Sequence, residues 1–278
     1  MTGNVTRATS VPIAYELMLA GLLADELEQQ LELRFQPLRA VASQALSVEA
    51  LLRWCHPTLG WVPPEQFIQV AEQHMLMRRL TLWVINHSFR CLRAWQLAAL
   101  DIHLSLNISA HDLQSDYLVG ALCAATQGHL IAPGRVTLEV TETLPIECYQ
   151  RAAACVDQLH GLGFKVALDD FGSGYANMQQ LAALPVNRIK LDKSLVQSSA
   201  GSPKHRHFVR SLVQMAHQLG IDVVAEGVET VNECGVLEAC GADYLQGYFI
   251  ATPLQVEDVH KWYVEQVEQK CPAESEQV

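Results

Sequence analysis

Short apolar runs alternate with longer stretches of helical period along most of the chain, and this rhythm is the first guide to its fold. Residues 31–38 and 45–54 read as two strands separated by about six residues. So short a connection implies a hairpin, and the first pair is therefore expected to be antiparallel. From there the order becomes helix then strand, repeated. Helical stretches at 64–100, 112–129, 147–162, 179–184, 205–219 and 230–240 precede apolar strands at 103–108, 136–141, 166–170, 188–191, 222–225 and 244–247, and a helix at 256–267 closes the chain. Eight strands with intervening helices in about 250 residues fit an α/β fold, a TIM-type (β/α)8 barrel with an antiparallel first strand. An open doubly wound sheet is the runner-up, but no G-x-G-x-x-G opens a helix.

Composition adds limits. Half of the 278 residues are hydrophobic, enough for a full core, and no internal linker divides them, so one domain is expected over 15–268, with a flexible lead-in at 1–14 and a disordered tail at 269–278. Nineteen basic against thirty acidic side chains give a formal charge of −11, which argues against a nucleic-acid binder acting through charge alone. The eight cysteines form no C-x-x-C pair and read as buried thiols of a reducing compartment. An apolar stretch at 11–24 is interrupted by Glu16 and followed at once by Asp25, Glu26 and Glu28. It suits an amphipathic helix better than a signal or a span, so a cytoplasmic protein without direct membrane contact is expected.

The chemistry gathers at the strand ends. Residues 166–168 lead into Asp169-Asp170, and Gly172 and Gly174 then mark an abrupt turn. Alone, this pair reads more readily as a turn cap beside a solvated acid. The other predicted strand ends add Gln36, Glu49 with Arg53, Asn107, Glu139, Lys190, Glu226 and Gln246. Each has an ordinary explanation too, Arg53 as an ion-pair partner or Gln246 as a surface amide. Jointly they form a ring of carboxylates at the barrel mouth, which is costly to desolvate unless it binds something positive. Oxygen ligands with one amide and no thiolate favour magnesium or manganese over zinc. Glu49, Asn107, Glu139 and Asp169 make one shell, and Asp169 can bridge to a second ion held by Asp170 and Glu226, the arrangement of two-metal phosphoester hydrolysis. Lys190 and Arg53 fit as phosphate donors or as groups that orient the attacking water.

These residues fall in motifs that resemble the EAL domain of bacterial cyclic di-GMP phosphodiesterases. Glu49-Ala50-Leu51-Leu52-Arg53 carries the naming motif. Asn107-Ile108-Ser109, Glu139-Val140-Thr141-Glu142, Asp169-Asp170-Phe171-Gly172, Lys190-Leu191-Asp192, Glu226-Gly227-Val228-Glu229 and Gln246-Gly247-Tyr248 come after it in order. The resemblance implies hydrolysis of cyclic di-GMP to linear pGpG by in-line water attack with two magnesium or manganese ions, calcium being inhibitory. Carried over by motif, Glu49, Asn107, Glu139 and Asp169 are first-metal ligands, and Asp169, Asp170 and Glu226 surround the second. Lys190 corresponds to the lysine that contacts the attacking water, and Glu226 to the favoured general base. Gln36, Leu52, Arg53, Asp192, Glu229 and Gln246 fall at substrate-binding positions, with Glu229 supporting Gln246. Glu142 anchors the loop 171–178, through which a homodimer formed by the adjacent helices reaches the metals. The chain departs from the family pattern in a shorter hairpin before Glu49 and in Cys55, where a basic residue is common; neither removes a ligand.

The leading functional expectation is thus a two-metal phosphodiesterase. A catalytically silent cyclic di-GMP receptor that signals to a partner is the alternative, though such members usually lose metal carboxylates or the glycine loop. A nuclease is disfavoured by the acidic balance. No sensory segment or GGDEF motif occurs in the sequence, so the chain is expected to be either a stand-alone domain or the cytoplasmic part of a longer regulator that carries such a domain outside it.

Overall fold

The computed structural model describes residues 30–43, 45–57, 59–140, 148–172 and 177–270. The predicted leading helix, Glu142 and residues 173–176 of the 171–178 loop lie outside the described residues, as does most of the predicted tail. The contacts of the chain cluster into two compact units, Met1–Glu32 with Leu52–Trp83 and Leu33–Leu51 with Val84–Val278.

The larger unit carries a closed eight-stranded barrel. Strands β1 (Leu31–Ala40) and β2 (Leu46–His56) pair with each other, and β2 continues parallel to β4 (Ile102–Ile108). Beyond β4 the parallel order is β5 (Val136–Val140), β6 (Lys165–Phe171), β7 (Arg188–Leu191), β8 (Asp222–Ala225) and β9 (Tyr244–Gln246). Strand β9 pairs antiparallel with β1 through Leu38↔Gln246 and Ala40↔Tyr244, closing the circle with only the first strand reversed, as the hairpin spacing predicts.

Alternation along each strand decides which side chains face helices and which face the barrel axis. Val48 and Ala50, Leu104 and Leu106, Leu138 and Val140, Val166 and Leu168, Ile189 and Leu191, Val223 and Ala225 are all buried. The helices meet such a layer with apolar faces spaced three and four apart. Helix Tyr149–Leu162 buries Ala152, Cys155, Val156 and Leu159, and helix Pro203–Gln218 buries Val209, Val213 and Ala216. Each fully buried Leu, Ile or Val contributes about 1.5–3 kcal/mol, so this layer is the principal source of stability. Trp95 and Phe35 meet edge to face at 4.8 Å within the same unit, and Trp262 is buried, so both tryptophans are packing residues as expected.

The smaller unit is built on the end of β2, where Trp54↔Val62 and His56↔Gly60 pair with a short strand β3 (Gly60–Val62) that the apolar pattern does not reveal. Trp54 packs edge-on against Phe67 of α1 (Pro64–Gln73) and donates its Nε1 hydrogen to Gln30.

Three predicted helices differ in detail. The stretch 64–100 divides into α1 and α2 (Met77–Leu97), with Met75 at φ 56° between them; this left-handed residue ends the first helix. The stretch 112–129 divides into α3 (Ala110–Leu113), opened by a Ser109–Asp112 capping box, and α4 (Leu118–His129). Before the predicted helix at 205–219 lies a further helix, Lys193–Gly201, that the apolar pattern does not show. It is separated from Pro203–Gln218 by Ser202, which Pro203 holds extended at φ −139°, ψ 121°. In chain order the remaining helices are α5 (Tyr149–Leu162), α6 (Asn177–Ala183), α7 (Lys193–Gly201), α8 (Pro203–Gln218), α9 (Val231–Cys240) and α10 (Val256–Lys270).

Candidate active site

The residues facing the barrel axis at the carboxyl ends of the strands converge on one ammonium group. Lys190, in β7, is 1% exposed, and its Nζ lies 2.6 Å from Glu139 Oε2, 2.7 Å from Glu226 Oε1, 3.2 Å from Glu49 Oε2 and 3.2 Å from Asp169 Oδ1. Five strands or strand ends thus deliver their polar residue to a single point. Glu49 is further fixed by amides on either side: Asn107 Nδ2 donates to its Oε1 at 2.6 Å and Gln246 Nε2 to its Oε2 at 2.7 Å. Gln36 accepts a longer bond from Gln246 Nε2, at 3.4 Å, and donates to the Ala251 carbonyl.

Consecutive strand residues point to opposite faces, so Asp169 and Asp170 cannot both serve the site unless the strand is broken between them. The pairing of β6 with β7 shifts register between Leu168 and Phe171, and Asp170 adopts φ 55°. This bulge turns both carboxylates inward. Asp169, Asp170 and Glu226 bring one oxygen each to within 4.8 Å of one another, and Glu49, Glu139 and Asp169 do the same in a second group. The two groups share Asp169. Both are all-oxygen sets suited to hard divalent ions.

One cation does not neutralise this many buried acids, and the ionisation of the cluster reflects that. Burial pushes the Glu139 carboxyl up to about 8; Lys190 offsets part of the effect, while the charges of Glu49 and Asp169 add to it. Burial likewise raises Asp169 and carries Glu226 well above the usual carboxylate range, again against the pull of Lys190. Glu49 is the exception. Its burial is outweighed by Lys190 and by the bonds from Gln246 and Asn107, and its carboxyl is held low. Lys190 is raised well above its ordinary value, because the four carboxylates overcome the desolvation of its ammonium. Glu139 Oε1 is buried with no hydrogen-bond partner among the described residues. An orphaned, buried carboxylate oxygen within an excess of negative charge is what a site for divalent cations presents in their absence.

The other predicted residues lie further out or elsewhere. Asp192 accepts from the backbone and hydroxyl of Ser194 as the N-cap of α7, and Glu229 pairs with Lys193 at 2.5 Å rather than with Gln246. It is the backbone of neighbouring Val228 that bonds the Gln246 carbonyl, at 3.0 Å. Leu52 and Arg53 belong to the smaller unit, where Arg53 Nη1 donates to the Leu52 carbonyl. The seven described cysteines are free thiols, but Cys55 and Cys148 are exposed, so the expectation of buried thiols holds only in part. The motifs give no sign of Lys193, nor of Glu233, whose carboxylate takes the backbone N–H groups of both Glu229 and Thr230.

Residues 22–253 match the family model described as the EAL domain. The chain belongs to the EAL domain family. Its relatives include the cyclic di-GMP phosphodiesterase PA2567 of Pseudomonas aeruginosa, 35% identical over 90% of this chain and 43% of that protein. The chain spans less than half the length of the curated relatives it matches. Among solved structures, this EAL domain superposes on the EAL enzyme Bd1971, with cAMP and cyclic di-GMP bound, at a TM-score of 0.84 and 28% identity, covering 91% of this chain and 70% of that one. The PaMucR phosphodiesterase in complex with c-di-GMP gives 0.79 and 31%, covering 87% and 99%.

Proposed function

We propose that this EAL domain hydrolyses cyclic di-GMP to linear pGpG. The observation that carries the reading is the pair of oxygen clusters sharing Asp169 around Lys190. The reading also draws on the two relatives named as cyclic di-GMP phosphodiesterases and as a phosphodiesterase in complex with that nucleotide. Glu49, Asn107, Glu139 and Asp169 would hold one ion and Asp169, Asp170 and Glu226 a second, magnesium or manganese. When bound, the ions supply Lewis acidity toward the phosphoryl oxygens.

The chain's own groups do the rest. Lys190 Nζ orients the attacking water in line with the leaving oxygen, and Glu226, as a carboxylate, accepts the water's proton. Gln36, Leu52, Arg53, Asp192, Glu229 and Gln246 contact or frame the nucleotide. Gln246 also keeps Glu49 aimed, since one amide bridges Glu49 and Gln36. A homodimer through the helices beside the 171–178 loop regulates the site. In the cytoplasm the domain works either alone or under a sensory or GGDEF domain outside this chain. Among the described residues no helix is long and apolar enough to cross a membrane.

Purified protein incubated with cyclic di-GMP and magnesium, manganese or calcium, with the nucleotides then separated by chromatography, tests the reading. The expected result is pGpG in the first two, suppressed by calcium. Tight nucleotide binding without product in any metal would refute the hydrolase and leave a receptor.

A further inference from the structure

The structure assigns Lys193, a residue outside the metal cluster, as the positioning residue for Glu226: we infer that its side chain holds the loop 226–230 in the shape that aims that carboxylate. The inference rests on the phosphodiesterase reading only for its catalytic consequence.

The loop begins directly after β8 with Glu226-Gly227, and Gly227 has φ 65°, a left-handed conformation that glycine adopts without cost and that leaves it intrinsically mobile. The Lys193 stem lies flat on this glycine. A Cβ at Gly227 would fall 2.5 Å from Lys193 Cγ and 2.7 Å from its Cβ, so the stem occupies the space a side chain would take. Beyond the stem, Lys193 Nζ reaches Glu229 Oε1 at 2.5 Å. Glu229 is itself tied at its backbone to Glu233 Oε2 at 2.8 Å, at the start of α9. One side chain thus covers the residue after Glu226 and fastens the residue three beyond it.

The opposite side of the loop is held by β9 and the residues just after it. Val228 donates to the Gln246 carbonyl at 3.0 Å, and Phe249 donates to the Val228 carbonyl at 3.0 Å. Glu226 N–H donates to the Leu191 carbonyl at 3.2 Å. Those backbone bonds fix Glu226 and Val228 but not Gly227 between them, which is where Lys193 acts. The Lys193–Glu229 pair is about half exposed, and exposed pairs contribute little to stability. Its removal is therefore expected to loosen the loop without unfolding the domain.

Wild type, Lys193→Ala, Lys193→Met and Lys193→Arg are compared by three readouts: amide hydrogen exchange of residues 226–230 in chelator, manganese calorimetry, and steady-state hydrolysis of cyclic di-GMP. Lys193→Ala is expected to speed exchange in the segment roughly tenfold and to weaken manganese binding about three- to tenfold. Its kcat falls about tenfold with KM nearly constant, since a misaimed group is lost from the transition state rather than from substrate binding. Lys193→Arg restores all three, and Lys193→Met, which keeps the stem but not the charge, falls between. Wild-type exchange and manganese affinity in Lys193→Ala would overturn the assignment, as would a loss that Lys193→Arg fails to restore. If wild type itself does not turn over cyclic di-GMP, the phosphodiesterase reading falls, while exchange and manganese affinity still decide the role of Lys193.

Discussion

Replacing Glu139 with Gln separates what this carboxylate costs the fold from what it gives the site. Its side chain is 0% exposed, and its carboxyl titrates at about 8 against an ordinary 4.5. Between those values the folded protein holds a proton that the unfolded chain has released, so stability is full below 4.5, falls as pH rises and levels off above about 8. At roughly 1.4 kcal/mol per pH unit, the span from 4.5 to about 8 sets a ceiling of about 5 kcal/mol. Asp169 and Glu226 are also pushed up by burial and share the same load, which brings the part removable at one position to about 2–3 kcal/mol. Gln has nothing to titrate and still offers Lys190 an acceptor. In chelator, Glu139→Gln is therefore expected to match wild type near pH 4.5 and to exceed it by about 2–3 kcal/mol at pH 9. Magnesium should bring the two close to equal at pH 9, because an ion at a hundred times its Kd stabilises the protein that binds it by about 2.7 kcal/mol. Urea unfolding monitored by tryptophan fluorescence, at several pH values with chelator and with magnesium, measures each quantity. A variant less stable than wild type at pH 9 in chelator, or a difference that does not change with pH, would refute the reasoning.

Two further substitutions probe the strand ends. Asp170→Asn keeps a residue type that tolerates the φ of 55°, so circular dichroism should show an intact fold, while kcat for pGpG formation falls at least about 100-fold. Gly247→Ala would set a Cβ 2.2 Å from the Val228 carbonyl oxygen, a contact with backbone that cannot swing aside. It is expected to cost about 2–4 kcal/mol in urea unfolding and to weaken manganese binding through the displaced 226–230 loop.

The order of elements was legible because two periodicities, 2 and 3.6, are imposed by the backbone itself. The reversed first strand could be read from a six-residue connection alone. The breaks within helices were less legible. Ser202-Pro203 carries a visible stop, and a helix before it could have been inferred from Asp192 as an N-cap; Met75 carries none, since nothing in a methionine foretells a positive φ. Strand β3 is three residues long and too short for any period to register.

The candidate site was legible for a different reason. An ionisable residue at the end of a buried strand conflicts with its surroundings, and repetition of that conflict at one end of a barrel is informative where a single instance is not. The same logic explains what escaped notice. Lys193 comes directly after a capping Asp on an exposed helix start, so it conflicts with nothing locally, and its role arises only because Gly227, distant in sequence, leaves room for its stem. The glycine was the available clue. A glycine directly after a buried carboxylate says that something must approach the backbone there, and whatever approaches controls where the carboxylate points. The Glu226-Gly227 step therefore predicts a neighbour that steers Glu226, and Lys193, the first cation after Lys190 and the first residue of α7, is the one in reach.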